Sequence, residues 1–131
     1  MCQLFAHGDR VDRDLESLLP GELQMLKDGR LRYSMLLDEN GGIIDDLMAT
    51  RRGDHFYVVV NGATKIGDIE EFERRLPRTV VLDHMKEQPL LALPGPTRVQ
   101  VLEARAPGRA ACALLHGPLF PLRCPPRSAH P

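Results

Sequence analysis

Glu39-Asn40-Gly41-Gly42-Ile43-Ile44-Asp45-Asp46-Leu47 reads as a turn running into an extended apolar segment, and that reading decides the fold. Asn40-Gly41 is a hairpin signal, because a type I′ turn needs positive φ at both central residues and Asn and Gly tolerate it. The following segment, from about Gly42 to Ala49, is a return strand with two adjacent aspartates at its centre, where strands disfavour them. Neighbouring side chains of a strand point to opposite faces, so Asp45 and Asp46 do not form a shared-proton dyad with each other. Two solvated acids near a turn would account for the pattern. The sharper alternative is one carboxylate facing a cleft, where it accepts hydrogen bonds from an amine or amide edge.

Outward from this turn the chain alternates between strand and helix signals. Leu31 to Leu37 is the strand that precedes the turn. Arg51-Arg52-Gly53-Asp54 makes a second turn, and Phe56 to Val60 is a third strand rich in β-branched and aromatic residues. Residues 31–60 therefore form an antiparallel meander. Before it, Val11, Leu15, Leu18 and Leu19 fall at i, i+4, i+7 and i+8, an amphipathic helix that Pro20-Gly21 stops.

After the meander, Ile66, Ile69, Phe72 and Leu76 approximate helical spacing, with Thr64 or Asp68 as the cap and Pro77 as the stop. Val80 to Leu82 and Leu90 to Leu93 are short apolar runs with strand character, the second broken by Pro94-Gly95-Pro96. Thr97 caps a short helix holding Val99, Val101 and Leu102. The expected class is α+β, a mixed and largely antiparallel sheet with helices on one face.

Composition narrows the functions. With 131 residues and 43% hydrophobic content the chain can bury a real core. Aromatics are only 5% with no Trp, which argues against a stacking platform for single-stranded nucleic acid. A net charge of −1 gives no support for a polyanion partner, so no nucleic acid is expected. All 18 acidic residues lie in 1–103, whereas 104–131 has none, carries Arg105, Arg109, Arg123 and Arg127, and holds six of the eleven prolines. A boundary is placed there, with 104–131 a loosely ordered or unrelated tail.

The three cysteines lack C-x-x-C spacing and read as free thiols of a reducing cytoplasm. The five histidines never fall at i, i+3 or i+4, which gives no local metal site. No apolar run approaches a membrane span, and the N-terminus lacks the apolar core of a signal peptide.

Three motifs in order carry a resemblance. They are "RYSMLLDENGGIIDDLMAT" at 32–50, "FYVVVNGAT" at 56–64 and "LLALPGP" at 90–96. Together they resemble the T-protein family of the glycine cleavage system, tetrahydrofolate-dependent aminomethyltransferases, over about 1–102. Met1-Cys2-Gln3-Leu4 resembles the family's segment that precedes the first motif, with Cys2 where Gly is usual and Pro94 where Gln is usual.

The resemblance implies that Asp46 is the key acid of the folate site. It further implies that Met1, Tyr33, Tyr57 and Asn61 contact the cofactor tetrahydrofolate. The implied reaction is methylene transfer from an aminomethyl-lipoyl carrier, the H-protein, to tetrahydrofolate with release of ammonia. The alternative is a folate-binding module without turnover, as in the dimethylglycine and sarcosine dehydrogenases or the iron–sulfur assembly relatives.

By pattern alone, Tyr57 reads as core packing, Asn61 as a turn residue and Tyr33 as a cross-strand residue. Asp45 is expected to be the outward, structural member of the pair. Nothing like the family's later folate-site segment follows Glu103, so the chain is expected to be a fragment, weak or inactive alone.

Overall fold

Alternation along the strands sorts the sheet into two faces with different jobs. The computed structural model describes residues 1–88, 90 and 92–105. The elements are β1 (Cys2–His7), α1 (Val11–Glu16), a 3₁₀ turn at Leu23–Met25, β2 (Leu31–Leu37), β3 (Ile43–Arg52), β4 (His55–Val60), α2 (Lys65–Arg75), β5 (Val81–His84) and α3 (Arg98–Arg105). The strands form one five-stranded sheet in the order β2-β3-β4-β1-β5, and every pairing is antiparallel. The α+β architecture thus stands, with α1 and α2 on one face, and the expected meander over 31–60 is present as β2-β3-β4.

Register explains the layering. Leu47 lies opposite Val60 and Ala49 opposite Val58, while Leu4 lies opposite Val58 and Ala6 opposite Phe56. These residues share one face and are buried with Val11 and Leu15 of α1, Leu18, Leu19 and Leu23 after it, and Phe72 and Leu76 of α2. Apolar burial on this face stabilises the domain at roughly 25 cal/mol per Å² removed from water. The opposite face carries Tyr33, Met35, Asp46 and Met48 at the β2-β3 end. At the other end the rings of Phe5, His7, His55 and Tyr57 cluster with centroids 5.2 to 6.0 Å apart.

Several expectations change. The helix read over 11–19 is shorter, but all four residues of its apolar stripe are buried. The Asn40-Gly41 turn is not type I′, because Asn40 keeps a negative φ and only Gly41 is positive, at 80°. Asp38 organises it instead. Its Oδ1 accepts from the backbone N–H groups of Asn40 (2.8 Å) and Gly42 (2.7 Å), and its own N–H donates to the Gly42 carbonyl at 2.8 Å. A carboxylate that satisfies two turn amides removes the need for the mirror-image turn.

β1 had no assignment from sequence, although Cys2, Leu4 and Ala6 alternate inward. Residues 90, 92 and 93 form no strand, since Pro94 and its neighbours cannot sustain a ladder; Leu91 lies outside the described residues. β5 instead pairs with β1 through Leu82 opposite Ala6.

Thr64 occupies the N-cap position of α2 but caps no backbone amide, and Asp68 is inside the helix and buried. Pro77 ends α2 as expected, forcing Leu76 into extended backbone. The boundary expected at 104 falls within α3, none of whose residues is buried. Residues 106–131, most of the expected tail, lie outside the described residues. No described helix is long and apolar enough to cross a membrane.

Candidate active site

β3 brings its two aspartates into one hydrogen-bonded cluster, despite their opposite facing. One step beyond the Leu47–Val60 pair, Asn61 closes β4 beside Asp46. The Asn61 side-chain amide has two hydrogens and three acceptors within reach. Its Nδ2 lies 2.9 Å from Asp45 Oδ1, 2.8 Å from Asp46 Oδ1 and 3.2 Å from the Asp46 carbonyl. On the other side the Tyr33 hydroxyl donates to Asp46 Oδ2. Tyr33 pairs with Met48 and Asp46 with Met35, so Tyr33 reaches Asp46 along the diagonal of the β2-β3 ladder. That hydrogen bond raises the Tyr33 phenol above its ordinary pKa and keeps it a donor. Three of the residues singled out from sequence, Tyr33, Asp46 and Asn61, are thus in direct contact.

The aspartates are not placed as expected. Asp46 is exposed, and Asp45 is the partly buried member of the pair. Asp45 lies on the same face as Leu47 and Ala49 and looks toward α2. Thr64 Oγ1 lies 2.6 Å from its Oδ2, which makes Asp45 the inward carboxylate. Burial works against its charge. Even so, the hydrogen bonds from Thr64 and Asn61 hold its pKa below the ordinary carboxylate value.

Asp68, four residues into the same network, behaves in the opposite way. It is 1% exposed, its Oδ1 has no hydrogen-bond partner, and its Oδ2 lies 3.0 Å from Thr64 Oγ1. Burial above all, with a hydrogen bond to Asp45 and the negative charge of Asp45 adding to it, pushes its pKa up to about 6. Sequence reasoning treated Asp68 as a cap and missed this role. The available signal was its i, i+4 spacing from Phe72, which puts a carboxyl on the buried face of α2.

The remaining candidates stand apart from this cluster. Tyr57 is buried, and its hydroxyl donates to Gln3 Oε1 at 2.6 Å; burial raises the phenol to about 12. Met1 is 63% exposed and packs its backbone nitrogen against Gly62, where an added Cβ would come within 3.1 Å. It opens a groove of about 350 Å³ lined also by Cys2, Gln3, Lys65 and His84. In this groove Cys2 Sγ is 3.2 Å from His84 Nε2, and burial raises the thiol, which makes Cys2 a poor nucleophile. Cys2 is a free thiol. Among the described residues no group of three or more His, Cys, Asp or Glu is placed to hold a metal ion.

Comparison with known proteins places the chain in a family. The profile of the GCVT N-terminal domain matches residues 1–113. The chain is 35% identical over 103 residues to the aminomethyltransferase of Thermosynechococcus vestitus, a stretch covering 78% of this chain and 28% of that protein. It is 38% identical over 107 residues to the aminomethyltransferase of Cutibacterium acnes, covering 79% and 29%. With the mitochondrial aminomethyltransferase of Dictyostelium discoideum it shares 36% over 112 residues, covering 79% and 28%. The fold is similar to the crystal structure of the glycine cleavage system aminomethyltransferase T from Bartonella henselae. That match has a TM-score of 0.75 and 25% identity, and it covers 88% of this chain and 32% of that one. The chain therefore spans less than a third of these relatives' length.

Proposed function

The chain belongs to the GCVT N-terminal domain family, and from that premise we propose that Asp46, with Tyr33 and Asn61, is the acid of a tetrahydrofolate site serving aminomethyl transfer. The observation that carries the reading is the state of Asp46. It is exposed, yet both of its oxygens are anchored, one by Asn61 and one by Tyr33.

The residues fit such a ligand. Each carboxylate oxygen has two lone pairs, so Asp46 keeps acceptor capacity on both oxygens after these two bonds. A pterin edge presents amine and amide N–H donors to match. Tyr33, 60% exposed, offers a ring face as an apolar wall. Tyr57 is assigned a supporting part in this reading, since it braces Gln3 at the groove.

Tetrahydrofolate, when bound, supplies the nitrogens that take up the one-carbon unit. The contribution of this chain is positioning and charge. Asp46 orients an N–H edge and stabilises positive charge that develops beside it. Asn61 fixes the rotamer of Asp46, and the Tyr33 hydroxyl holds its outer oxygen. The donor of the unit in this reading is an aminomethyl group on a lipoylated carrier, the H-protein, with ammonia leaving.

A calorimetric titration of the chain with tetrahydrofolate tests the site. Binding that Asp46→Ala abolishes supports it; no heat from a folded chain overturns it. Ammonia release from an aminomethyl-loaded carrier then separates a transferase from a folate-binding module without turnover.

A further inference from the structure

The hydrogens available between β3 and α2 do not suffice for three ionised carboxylates. Thr64 has one hydroxyl hydrogen, yet its Oγ1 lies 2.6 Å from Asp45 Oδ2 and 3.0 Å from Asp68 Oδ2. That hydrogen serves one carboxylate only. Two ionised carboxyls on one hydroxyl would leave the second oxygen pair facing a lone pair, in a place where Asp68 Oδ1 already lacks a partner. A proton on Asp68 relieves the shortage, and that proton faces Asp45 directly as well as Thr64. Asp68 donates to the Thr64–Asp45 pair, Thr64 donates to Asp45, and Asn61 donates one hydrogen to Asp45 and the other to Asp46. Tyr33 closes the far end on Asp46. The result is an unbroken chain from a buried acid under α2 to the exposed carboxylate of β3.

We infer that Asp68 is a positioning residue for Asp46, acting as the neutral acid through Thr64, Asp45 and Asn61, so that its proton sets whether Asn61 is held between the two aspartates. Asp68 touches neither ligand nor reacting atoms and is not catalytic. The titratable groups facing it are Asp45 from β3 and Cys2 from β1, with Lys65 of its own helix acting on Cys2. Of these Asp45 is the negative neighbour, and it favours the protonated form of Asp68. Proton loss from Asp68 puts two carboxylates on one hydroxyl, loosens Asp45 and frees an Asn61 hydrogen. The inference rests on the Asp46 site proposed above only for its ligand readout.

Nuclear magnetic resonance of the full chain tests it without any ligand. The side-chain carboxyl carbon of Asp68 is expected to titrate near 6, and the side-chain amide signals of Asn61 are expected to shift with the same midpoint. Asp68→Asn, whose amide donates to Thr64 as the neutral acid would, abolishes the Asn61 response. Thr64→Val removes the hydroxyl link and leaves the direct Asp68–Asp45 contact, so it reduces the response while Asp68 still titrates.

Tetrahydrofolate affinity provides the second readout. From about pH 5 to about pH 7.5 the wild type is expected to lose about fivefold in affinity relative to Asp68→Asn, which shares the ligand's own titration. Asn61 signals indifferent to the Asp68 midpoint, or a response that persists in Asp68→Asn, overturn the inference. Absence of folate binding in the wild type overturns the proposed function and leaves the Asn61 signals to decide the role of Asp68.

Discussion

Asn61 Nδ2 lies 2.8 Å from Asp46 Oδ1, and the same nitrogen lies 2.9 Å from Asp45 Oδ1, so one amide holds both acids of β3. Asn61→Leu removes the donor and keeps the size. The loss leaves Asp45 with Thr64 and Asp68 as its side-chain partners and should cost about 1–3 kcal/mol of stability, measured by urea unfolding at neutral pH. Asn61→Asp should cost more, because it adds a third carboxylate beside the pair. Equal stability of Asn61→Asp and wild type would remove Asn61 from this role.

The two tyrosines should separate cleanly. Tyr57→Phe leaves Gln3 Oε1 without its donor at a buried site, an expected loss of about 1–3 kcal/mol. Tyr33→Phe removes a hydroxyl from an exposed ring and should stay within about 0.5 kcal/mol of wild type. Tetrahydrofolate titration should reverse the order, with Tyr33→Phe the weaker binder, since Tyr33 and not Tyr57 touches Asp46.

Asp68 sets a pH dependence of stability whose sign is fixed by its raised pKa. The folded chain keeps this proton from the ordinary value of 3.8 up to about 6, whereas the unfolded chain has lost it. The contribution is therefore fully present below about 3.8 and lost as pH rises through about 6. Asp45 works in the opposite direction. Its folded pKa is lowered, so its contribution holds above 3.8 and is lost as pH falls. The denaturant midpoint of wild type minus that of Asp68→Asn should fall as pH rises through this window. A flat difference would show that Asp68 ionises freely.

The packed face should respond as a core. Phe72, 1% exposed, anchors α2 among Leu and Val side chains of the sheet. Phe72→Ala should cost about 3–5 kcal/mol in urea unfolding, from lost burial and the cavity left behind. Val99→Ala, on an α3 with no buried residue, should change stability by less than about 0.5 kcal/mol.

The meander was legible because its strands obey a period of two and its turns carry glycine, and β3 emerged longer where Thr50, Arg51 and Arg52 extend the ladder. Tyr33, Asp46 and Asn61 were legible through motif spacing, which register then turned into contact. What escaped is a matter of which neighbour a polar group finds in three dimensions. Asp45 was assigned outward because adjacent residues alternate. Alternation does place it opposite Asp46, but the opposite face there is α2, not solvent. Asp68 was read as a cap because acids favour helix starts, while its position one turn before Phe72 buries it. β1 was missed for want of any turn signal ahead of it.

The hairpin loop gives the sharpest test of why its two glycines differ. Gly41 needs its positive φ of 80°, with nothing within 4 Å of an added Cβ, so Gly41→Ala is strained by backbone alone. Gly42 has no such φ. A Cβ there would stand 2.6 Å from Asp38 Oδ2, the carboxylate that organises the loop. Gly42→Ala should therefore destabilise by about 1–3 kcal/mol by displacing Asp38. In an Asp38→Ala background, which has already lost the carboxylate, the same change should cost much less. A double-mutant cycle measures the coupling, expected at about 1 kcal/mol or more between these contacting residues. Additive losses would mean that Gly42 is required by the backbone and not by Asp38. The Gly41→Ala cost, by contrast, should include its full backbone strain in either background.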